Sequence, residues 1–496
     1  HDRVAAMLAT AGRNSMRRAL GGQFQRHMRA TAAPLSDDVA LLQKLLSAAQ
    51  EREAAAKAAP AAAEGDSDPS KKFQIQGFNA ISQIGLDRFP SNQFMLTGSA
   101  GQVPPGCPEE PHAIVLRSHK LQPDEVGASV RAIARCGAGT NNIPIEEMTA
   151  RGIPVFNTPG ANANSVKELV LCGLLLAARD IVGGIEHTKN KIAVELKGDH
   201  KAIAARIEKD KKMFNGHELV GRTLAIAGLG NIGSMVAQAA LSLGMNVIGY
   251  DPKISVEAAW RLPSEVQKAS SLSDAVSQAD FVSINMPYIK GVTHHAISAE
   301  VLSKMKHTTH ILNFSRAEIV DGAALKRLYD AGHQGRYICD FADEFMQEHP
   351  KFLCIPHLGA STAEAEDNCA YMAADQIIKF LELGQVVNSV NFPTAVLDRQ
   401  SGDHTRLVII NKNVPGVLGQ ITTMLGDMGV NIAQQLNTSR DDIAYNVVDM
   451  QNFPQGEAAD KLQLKLAELE AVISTRLIYT GSASEGPASF YTKGGK

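Results

Sequence analysis

Three things are scarce in this sequence: net charge, clustered cysteines and long apolar runs. The net charge of −3 over 496 residues gives no field that would attract nucleic acid or an anionic membrane. The six cysteines are scattered, with no C-x-x-C pair or histidine-rich partner that would indicate zinc, so reduced, mostly buried thiols are expected. The longest apolar run, Leu169 to Ala178, is about half the length that a bilayer crossing needs. We therefore expect no nucleic-acid partner, no membrane partner and no metal.

The length and composition indicate a globular protein with about three domains. Apolar residues make up 44% of the chain and charged residues 20%, an ordinary balance for a protein with apolar cores. Residues 1–34 differ from the rest, because they carry six arginines, eight alanines and a single acid, Asp2. Such composition is typical of an organelle transit peptide, and an ordinary disordered tail can share it. We expect residues 1–72 to be a transit-like segment and linker, and the location to be a mitochondrion or plastid, otherwise the cytoplasm.

A glycine-rich turn and the acid after the next strand have the pattern of a dinucleotide-binding βαβ unit. An apolar strand leads into Gly228-x-Gly230-x-x-Gly233, a helix is predicted over 234–243, and Asp251 lies eighteen residues after the last glycine. Gly228 permits the tight turn, Gly230 lets the backbone approach a pyrophosphate, and Gly233 lets helix and strand pack closely. A carboxylate at the end of the second strand accepts hydrogen bonds from the ribose hydroxyls and repels a 2′-phosphate. The pattern therefore predicts NAD as the cofactor.

Short apolar strands alternate with helices along most of the chain from Phe73 onward, which indicates parallel sheets covered by helices on both faces. The dinucleotide unit begins only after a first α/β block, and a helix predicted over 362–383 is expected to return to that block. We therefore predict an α/β protein with two doubly wound parallel-sheet domains, one of which interrupts the other in sequence. The predicted boundaries are 73–180 with 358–395 for the discontinuous domain and 181–357 for the Rossmann domain.

The end of the chain reads as a separate small module whose elements follow the order βαββαβ. The helix predicted after Asn413-Val-Pro-Gly416 carries its apolar residues on one face. Ser401 and Gly402 mark the linker before the module. We predict this third domain over 403–481 and a C-terminal tail over 482–496.

Three polar groups near predicted strand ends have the chemistry that hydride transfer requires. Arg316 follows a strand of the Rossmann domain, and its guanidinium can bind a carboxylate through a bidentate fork. His357 can exchange a proton with a substrate hydroxyl, and a neighbouring carboxylate would orient its ring. The stretch 340–344 can supply that carboxylate. Each group taken singly could be an ordinary surface residue, but their common position after one dinucleotide motif indicates an active site.

With these motifs the chain resembles the D-2-hydroxyacid dehydrogenase family, and most of all those members that act on 3-phosphoglycerate. The resemblance extends from near Phe73 to Tyr479. Its most specific marks are Ala227 to Gly233, Asn313 to Arg316, Pro356 to Thr362 and Val390 to Pro393. It implies a flavodoxin-like fold for the discontinuous domain, which would bind the small-molecule substrate, and NAD-dependent oxidation of a 2-hydroxy acid. The apolar helix around Leu169 to Ala178 and the terminal module both suggest a homo-oligomer.

The resemblance also implies roles for individual residues. Arg316, His357 and Glu344 would be catalytic, and Asp343 is the alternative to Glu344 because the stretch 340–344 is one residue shorter than the family's and lacks its proline. The groups that would contact the cofactor are Gly228, Gly230, Asn231, Ile232, Gly233, Asp251, Pro287, Ser315, Asp340 and Gly359. The groups that would contact the substrate are Arg117, Ser118, Ala138, Gly139 and Asn162. Within the second set, Arg117 would bind the phosphate, and the backbone of Ala138 and Gly139 the carboxylate.

The terminal module resembles an ACT domain, a regulatory fold that binds amino acids, commonly across a dimer interface. Asn413 and Asn431 match two positions that hold the effector in serine-responsive relatives, and Asn411 stands where a third is commonly histidine. The resemblance therefore implies an amino-acid effector, with serine as the first candidate.

Three other functions remain open on the sequence. The reduction of hydroxypyruvate or glyoxylate with NADPH is a related activity of the same family. The C-terminal-binding-protein corepressors are relatives that act as NAD-sensing scaffolds for partner proteins. The third is a catalytically silent regulatory subunit, and the altered stretch 340–344 is the residue-level reason to consider it.

Overall fold

The computed structural model describes residues 72–97, 111–399, 404–451, 453, 456–479 and 490–492. The transit-like segment, and the location inferred from it, therefore lie outside the described residues, as does most of the predicted tail. Among the helices that are described, none combines the length and the apolar character that crossing a membrane requires.

The first sheet has five parallel strands and precedes the glycine-rich turn. Its strands are β1 (Phe73–Phe78), β2 (Phe94–Thr97), β3 (Ala113–Leu116), β4 (Ala132–Arg135) and β5 (Val155–Phe156). They pair in the order β2-β1-β3-β4-β5, the flavodoxin-like order. Strand β3 is apolar and buried along its whole length, as expected for a parallel strand with both faces covered. The helix Ala363–Leu383 packs on β3 and β4, so this segment does return to the first block.

The second sheet has seven parallel strands and contains the glycine-rich turn. Its strands are β6 (Thr223–Ala227), β7 (Asn246–Tyr250), β8 (Gln267–Lys268), β9 (Phe281–Ile284), β10 (His310–Asn313), β11 (Tyr337–Cys339) and β12 (Phe352–Cys354). They pair in the order β12-β11-β10-β9-β6-β7-β8, which is the Rossmann order with one added strand. The order reverses between β6 and β9, and ligands of such sheets bind beyond the carboxyl ends of the strands at this point. The prediction of two doubly wound parallel sheets is thus confirmed.

The α-helices around the two parallel sheets range from three to 21 residues in length. Their bounds are Gln83–Leu86, Ile145–Ala150, Ala163–Ala178, Ile181–Glu186, Ala193–Glu195, His200–Asp210, Asn231–Ser242, Val256–Trp260, Leu272–Gln278, Ala299–Ser303, Gly322–Asp330 and Ala363–Leu383.

The helix Ala163–Ala178 packs in the core of the second sheet, although the predicted boundary at residue 180 groups it with the first. Gly173 permits this packing, because a Cβ at that position would lie 2.7 Å from Cδ2 of Leu312 on β10. Its side chains Val170 and Leu174 are fully buried in the same core. An apolar helix can cover either neighbouring sheet, and the close approach at one glycine determines which.

The third sheet is antiparallel. Its strands are β13 (His404–Lys412), β14 (Asn431–Arg440), β15 (Ile443–Gln451), β16 (Val472–Ile478) and β17 (Phe490–Thr492), in the order β14-β15-β13-β16-β17. The helices Val417–Asp427 and Glu457–Glu468 complete the predicted βαββαβ order. Strand β17 is an addition that the sequence did not reveal, and it falls in the predicted tail.

The third sheet is attached to the first block by buried polar contacts at the end of the helix Ala363–Leu383. Arg406 forms an ion pair with Asp449, Nε to Oδ1 2.7 Å, and the two side chains are 1% and 2% exposed. Its Nη1 also donates to the carbonyl of Leu383, and the hydroxyl of Tyr445 donates to the carbonyl of Gly384. The last carbonyls of a helix have no partner within the helix, so these contacts both satisfy them and fix the module in place.

Two buried histidines make the fold sensitive to acid. Nδ1 of His112 accepts a hydrogen bond from the amide of Gln74 at 2.9 Å, and Nδ1 of His310 accepts one from the amide of Arg336 at 3.0 Å. Burial, and after it neighbouring positive groups, lowers the pKa of both rings to about 3. The folded state therefore holds both rings neutral, whereas the unfolded chain takes up protons as the pH falls through about 6.5. Stability is complete above that pH and is lost as the pH falls toward 3.

Lowering the pH from 7.5 to 5.5 is expected to reduce the free energy of unfolding by about 1.4 kcal/mol for each of these histidines. Urea denaturation of His310→Gln at the two pH values measures this contribution, because the variant should lose less stability than the unsubstituted chain. His200→Gln is the matched control, since His200 is exposed. An equal loss in all three chains would contradict the assignment.

Candidate active site

A cleft of about 1240 Å³ opens where loops after the strands of the two parallel sheets face each other. Loops after β3 and β4 line one side, and loops after β6, β9 and β10 line the other. The predicted residues that line it are Arg117, Ser118, Ala138, Gly139, Asn162, Gly230, Asn231, Ile232, Pro287, Ser315, Arg316, Asp340, His357 and Gly359. The structure thus brings most of the predicted cofactor, substrate and catalytic residues into one cavity.

The glycine-rich turn has the geometry that a bound pyrophosphate needs. A Cβ at Gly228, where φ is +94°, would lie 2.7 Å from the amide nitrogen of Met286, and one at Gly233 would lie 2.0 Å from the carbonyl oxygen of Gly228. Gly230, in contrast, faces open space and caps the helix Asn231–Ser242. The first and third glycines therefore permit close packing, and the second leaves room at a helix N-terminus for an anion.

Asp251 follows β7 and is connected to the glycine-rich turn. Its Oδ2 accepts a hydrogen bond from the amide of Leu229 at 2.9 Å, and its Oδ1 accepts one from the amide of Lys253 at 2.9 Å. The carboxylate thus stands beside the turn, at the position from which it can reach a ribose.

Asp340 lines the cleft, as His357 does. Asp340 is 2% exposed, and neither carboxylate oxygen has a hydrogen-bond partner among the described residues. Burial raises the pKa of this carboxyl, while His357, the nearby backbone amide of Gly359 and Arg316 act in the opposite direction. His357 itself is exposed on the cleft wall, where a substrate can reach it.

Neither acid expected to pair with His357 is among the residues that line the cleft. Asp343 is buried and accepts hydrogen bonds from the amides of Phe345 and Met346 at 3.0 and 3.2 Å, so its carboxylate closes a tight turn. Glu344 is the next residue in that turn, is exposed, and is absent from the cleft lining. Among the described residues, no hydrogen bond or ion pair joins Glu344 to His357. The carboxyl whose pKa is affected by the charge of His357 is that of Asp340.

The sequence reasoning missed Arg135, which stands between Arg117 and Arg316. Its Nε donates to the carbonyl of Arg117 at 3.1 Å, and its Nη1 lies 2.3 Å from where a Cβ of residue 137 would be. Arg316 reaches the same loop after β4, because its Nη2 lies 3.0 Å from where a Cβ of residue 139 would be. Burial lowers the pKa of Arg135, and the charges of Arg316 and Arg117 lower it further. The sequence did contain a signal for Arg135, because a charged residue directly after the apolar run Ala132 to Ala134 is expected at the end of a buried strand.

The asparagines predicted to bind an effector are not brought together within one chain. Asn411 is buried and accepts a hydrogen bond from Asn446, whereas Asn413 donates to the carbonyl of Asp441. Asn431 donates a hydrogen bond to Gln451. Gln451 pairs with His404 at the start of β13, so this contact lies at the opposite end of the sheet from Asn413. The nine residues of β13 separate the two ends, a span of about 27 Å at ~3.4 Å per residue.

The sequence comparisons agree with this geometry. Residues 191–359 match the model of the D-isomer specific 2-hydroxyacid dehydrogenase NAD binding domain. A D-3-phosphoglycerate dehydrogenase of Haemophilus influenzae is 32% identical over 383 residues, covering 74% of this chain and 87% of the relative. The D-3-phosphoglycerate dehydrogenase of Dictyostelium discoideum is 28% identical over 430 residues, covering 83% of this chain and 98% of the relative.

Solved structures share the fold of the two parallel-sheet domains. The D-mandelate dehydrogenase of Rhodotorula graminis matches with a TM-score of 0.53 at 19% identity, covering 66% of this chain and 100% of that one. The NADPH-dependent glyoxylate/hydroxypyruvate reductase of Sinorhizobium meliloti matches with a TM-score of 0.52 at 20% identity, covering 64% of this chain and 98% of that one. At these identities the likeness is one of fold alone.

Proposed function

The chain belongs to the D-isomer-specific 2-hydroxyacid dehydrogenase family, alongside the D-3-phosphoglycerate dehydrogenases, and from this we propose that it oxidises 3-phospho-D-glycerate to 3-phosphohydroxypyruvate. This reaction is the first step of phosphorylated L-serine biosynthesis. The observation that carries the proposal is the row of Arg117, Arg135 and Arg316 in one cleft with His357. The substrate has an anionic group at each end and a hydroxyl between them, which this row of charges and one imidazole complement.

The three arginines of the cleft and His357 each have a role in this proposed reaction. Arg117 and Arg135 bind the phosphate, and Arg316 binds the carboxylate and polarises the oxygen on C2. His357 accepts the proton of the C2 hydroxyl as the hydride leaves the same carbon. Asp340 is a buried carboxyl whose charge interacts with that of His357.

The chain fits NAD in three places. The open space at Gly230 and the free helix N-terminus suit the pyrophosphate, and Asp251 suits the ribose. The partnerless acceptor oxygens of Asp340 suit the N–H donors of a nicotinamide carboxamide. NAD, when bound, supplies the hydride acceptor.

Steady-state rates with phosphorylated and unphosphorylated substrates test the proposal. We expect kcat/KM for 3-phospho-D-glycerate with NAD to exceed that for D-glycerate by about 100-fold, because two guanidiniums bind the phosphate through charge-assisted hydrogen bonds. NADP should be the poorer cofactor, since Asp251 repels its 2′-phosphate. Faster reduction of glyoxylate or hydroxypyruvate with NADPH would favour the related reductases instead. NAD binding without turnover of any of these compounds would favour a scaffold.

We also propose that the terminal module is an ACT-like regulatory domain that binds an amino acid between two copies of the chain. The βαββαβ order and the antiparallel sheet support this reading. The separation of Asn413 from Asn431 supports a site shared by two chains, because one chain alone cannot place both on a molecule as small as serine. Calorimetric titration with L-serine, together with light scattering for the oligomeric state, tests both parts.

A further inference from the structure

The part of the cleft beside Arg117 contains a carboxylate as well as the guanidiniums. Glu366 lies near the start of the helix Ala363–Leu383, and its side chain lines the cleft. Its Oε1 stands 2.7 Å from Nη1 of Arg117, and the two side chains are 40% and 33% exposed. Glu366 therefore occupies one edge of the guanidinium that faces the cavity.

This ion pair makes Arg117 and Arg135 differ in the number of N–H groups that are free to bind an anion. A phosphate is bound best when a guanidinium presents two parallel N–H groups to it. Arg117 has one terminal nitrogen engaged by Glu366, while no described residue accepts a hydrogen bond from Nη1 or Nη2 of Arg135. The thiols of Cys136 and Cys369 border the same place, and burial raises the pKa of Cys136 to about 12, so this thiol stays neutral there. The charged groups in this part of the cleft are thus the two guanidiniums of Arg117 and Arg135 and the carboxylate of Glu366.

We propose that Glu366 is a specificity-determining residue, which competes with the substrate's phosphate for Arg117 and so limits affinity for phosphorylated 2-hydroxy acids. The inference rests on the proposed function. A dianionic phosphate that binds Arg117 must displace the carboxylate and also tolerate its charge nearby. The half-exposed position of Glu366 leaves it room to swing into solvent when displaced.

A purely structural role for the ion pair predicts the opposite result. If Glu366 served only to hold Arg117 in position, its loss would weaken phosphate binding and raise KM. Glutamine distinguishes the two roles, because its amide oxygen can still accept a hydrogen bond from Arg117 but it carries no charge.

Glu366→Gln is expected to lower KM for 3-phospho-D-glycerate about fivefold, the factor that corresponds to one half-exposed ion pair. KM for D-glycerate and kcat for either compound should change less than about twofold, because neither depends on the phosphate contact. Glu364→Gln is the matched control: Glu364 lies in the same first turn of the helix, is exposed and does not line the cleft. It removes the same charge from the helix terminus without touching Arg117.

Binding of inorganic phosphate, measured by calorimetry on both variants and the unsubstituted chain, separates failure of this inference from failure of the proposed function. Tighter phosphate binding in Glu366→Gln alone would support the competition even if no 2-hydroxy acid were turned over. An unchanged or raised KM together with unchanged or weaker phosphate binding would overturn it. So would an equal gain in Glu364→Gln, because the effect would then belong to the helix terminus. Thermal unfolding of each variant shows that the fold is intact.

Discussion

Replacing His357 by alanine is expected to lower kcat by about two to four orders of magnitude, the usual contribution of a general base. The imidazole stands on the cleft wall near the buried Asp340, and it is the one imidazole among the described residues that line the cleft. Binding of NAD should persist, because the glycine-rich turn and Asp251 lie elsewhere in the site. Steady-state kinetics and calorimetric titration with NAD measure the two effects separately.

His200→Ala is a suitable control for this experiment, because His200 is exposed at the start of a helix that contributes no residue to the cleft lining. Turnover of this control should match that of the unsubstituted chain. If His357→Ala kept full turnover with its fold intact, the histidine would have to be removed from the mechanism. A loss of NAD binding would instead show that the ring supports the cofactor site.

Replacing Arg316 by alanine should lower kcat/KM by roughly 30- to 5000-fold, which corresponds to the ~2–5 kcal/mol lost when one partner of a charged, hydrogen-bonded pair is truncated. Its guanidinium is held by a hydrogen bond from Nη1 to the carbonyl of Ser315 at 2.7 Å, which directs the other edge toward Gly139. Arg316→Lys keeps the charge but loses the planar fork, so we expect an intermediate loss. Rates with 3-phospho-D-glycerate at saturating NAD give the comparison.

Arg327→Ala removes an exposed arginine from the helix Gly322–Asp330 and should leave the kinetics unchanged. The lysine variant makes the experiment specific: if lysine and alanine lowered kcat/KM equally, charge would contribute nothing and the fork alone would matter. Unchanged kcat/KM in both variants would place the substrate's carboxylate elsewhere, with Arg135 as the next group in the row.

The sequence was most informative where function depends on local spacing. The role of Gly233 follows from contacts within one strand, one turn and one helix, so its position in the sequence was sufficient to predict it. The same holds for Asp251, which the next strand delivers to the turn. The tight turn at Gly228 was predicted in the same way, but the close contact there, with Met286 after β9, depends on the sheet. The sequence was least informative in the stretch 340–344, where three acids lie within five residues. There the hydrogen bonds of Asp343 decided which way each neighbour pointed.

The sequence also could not reveal which charged residues from distant parts of the chain lie close together in the fold. Arg135 and Arg316 are 181 positions apart in the chain, and only the meeting of two sheets places their charges together. The ion pair between Arg117 and Glu366 depends on the helix that returns to the first sheet after the whole Rossmann domain. Likewise, the register of the third sheet places Asn413 and Asn431 at opposite ends.

The sequence by itself determined the fold class, the dinucleotide turn and the general position of the cleft, because the order of strands and helices along the chain follows from patterns a few residues long. The tertiary structure decided which carboxyl interacts electrostatically with His357, which guanidiniums share the cleft, and which sheet the helix Ala163–Ala178 covers. The physical reason is that a side chain's direction at the end of a strand is set by the packing and hydrogen bonds of its neighbours. Those neighbours come from distant parts of the chain and meet only when it folds.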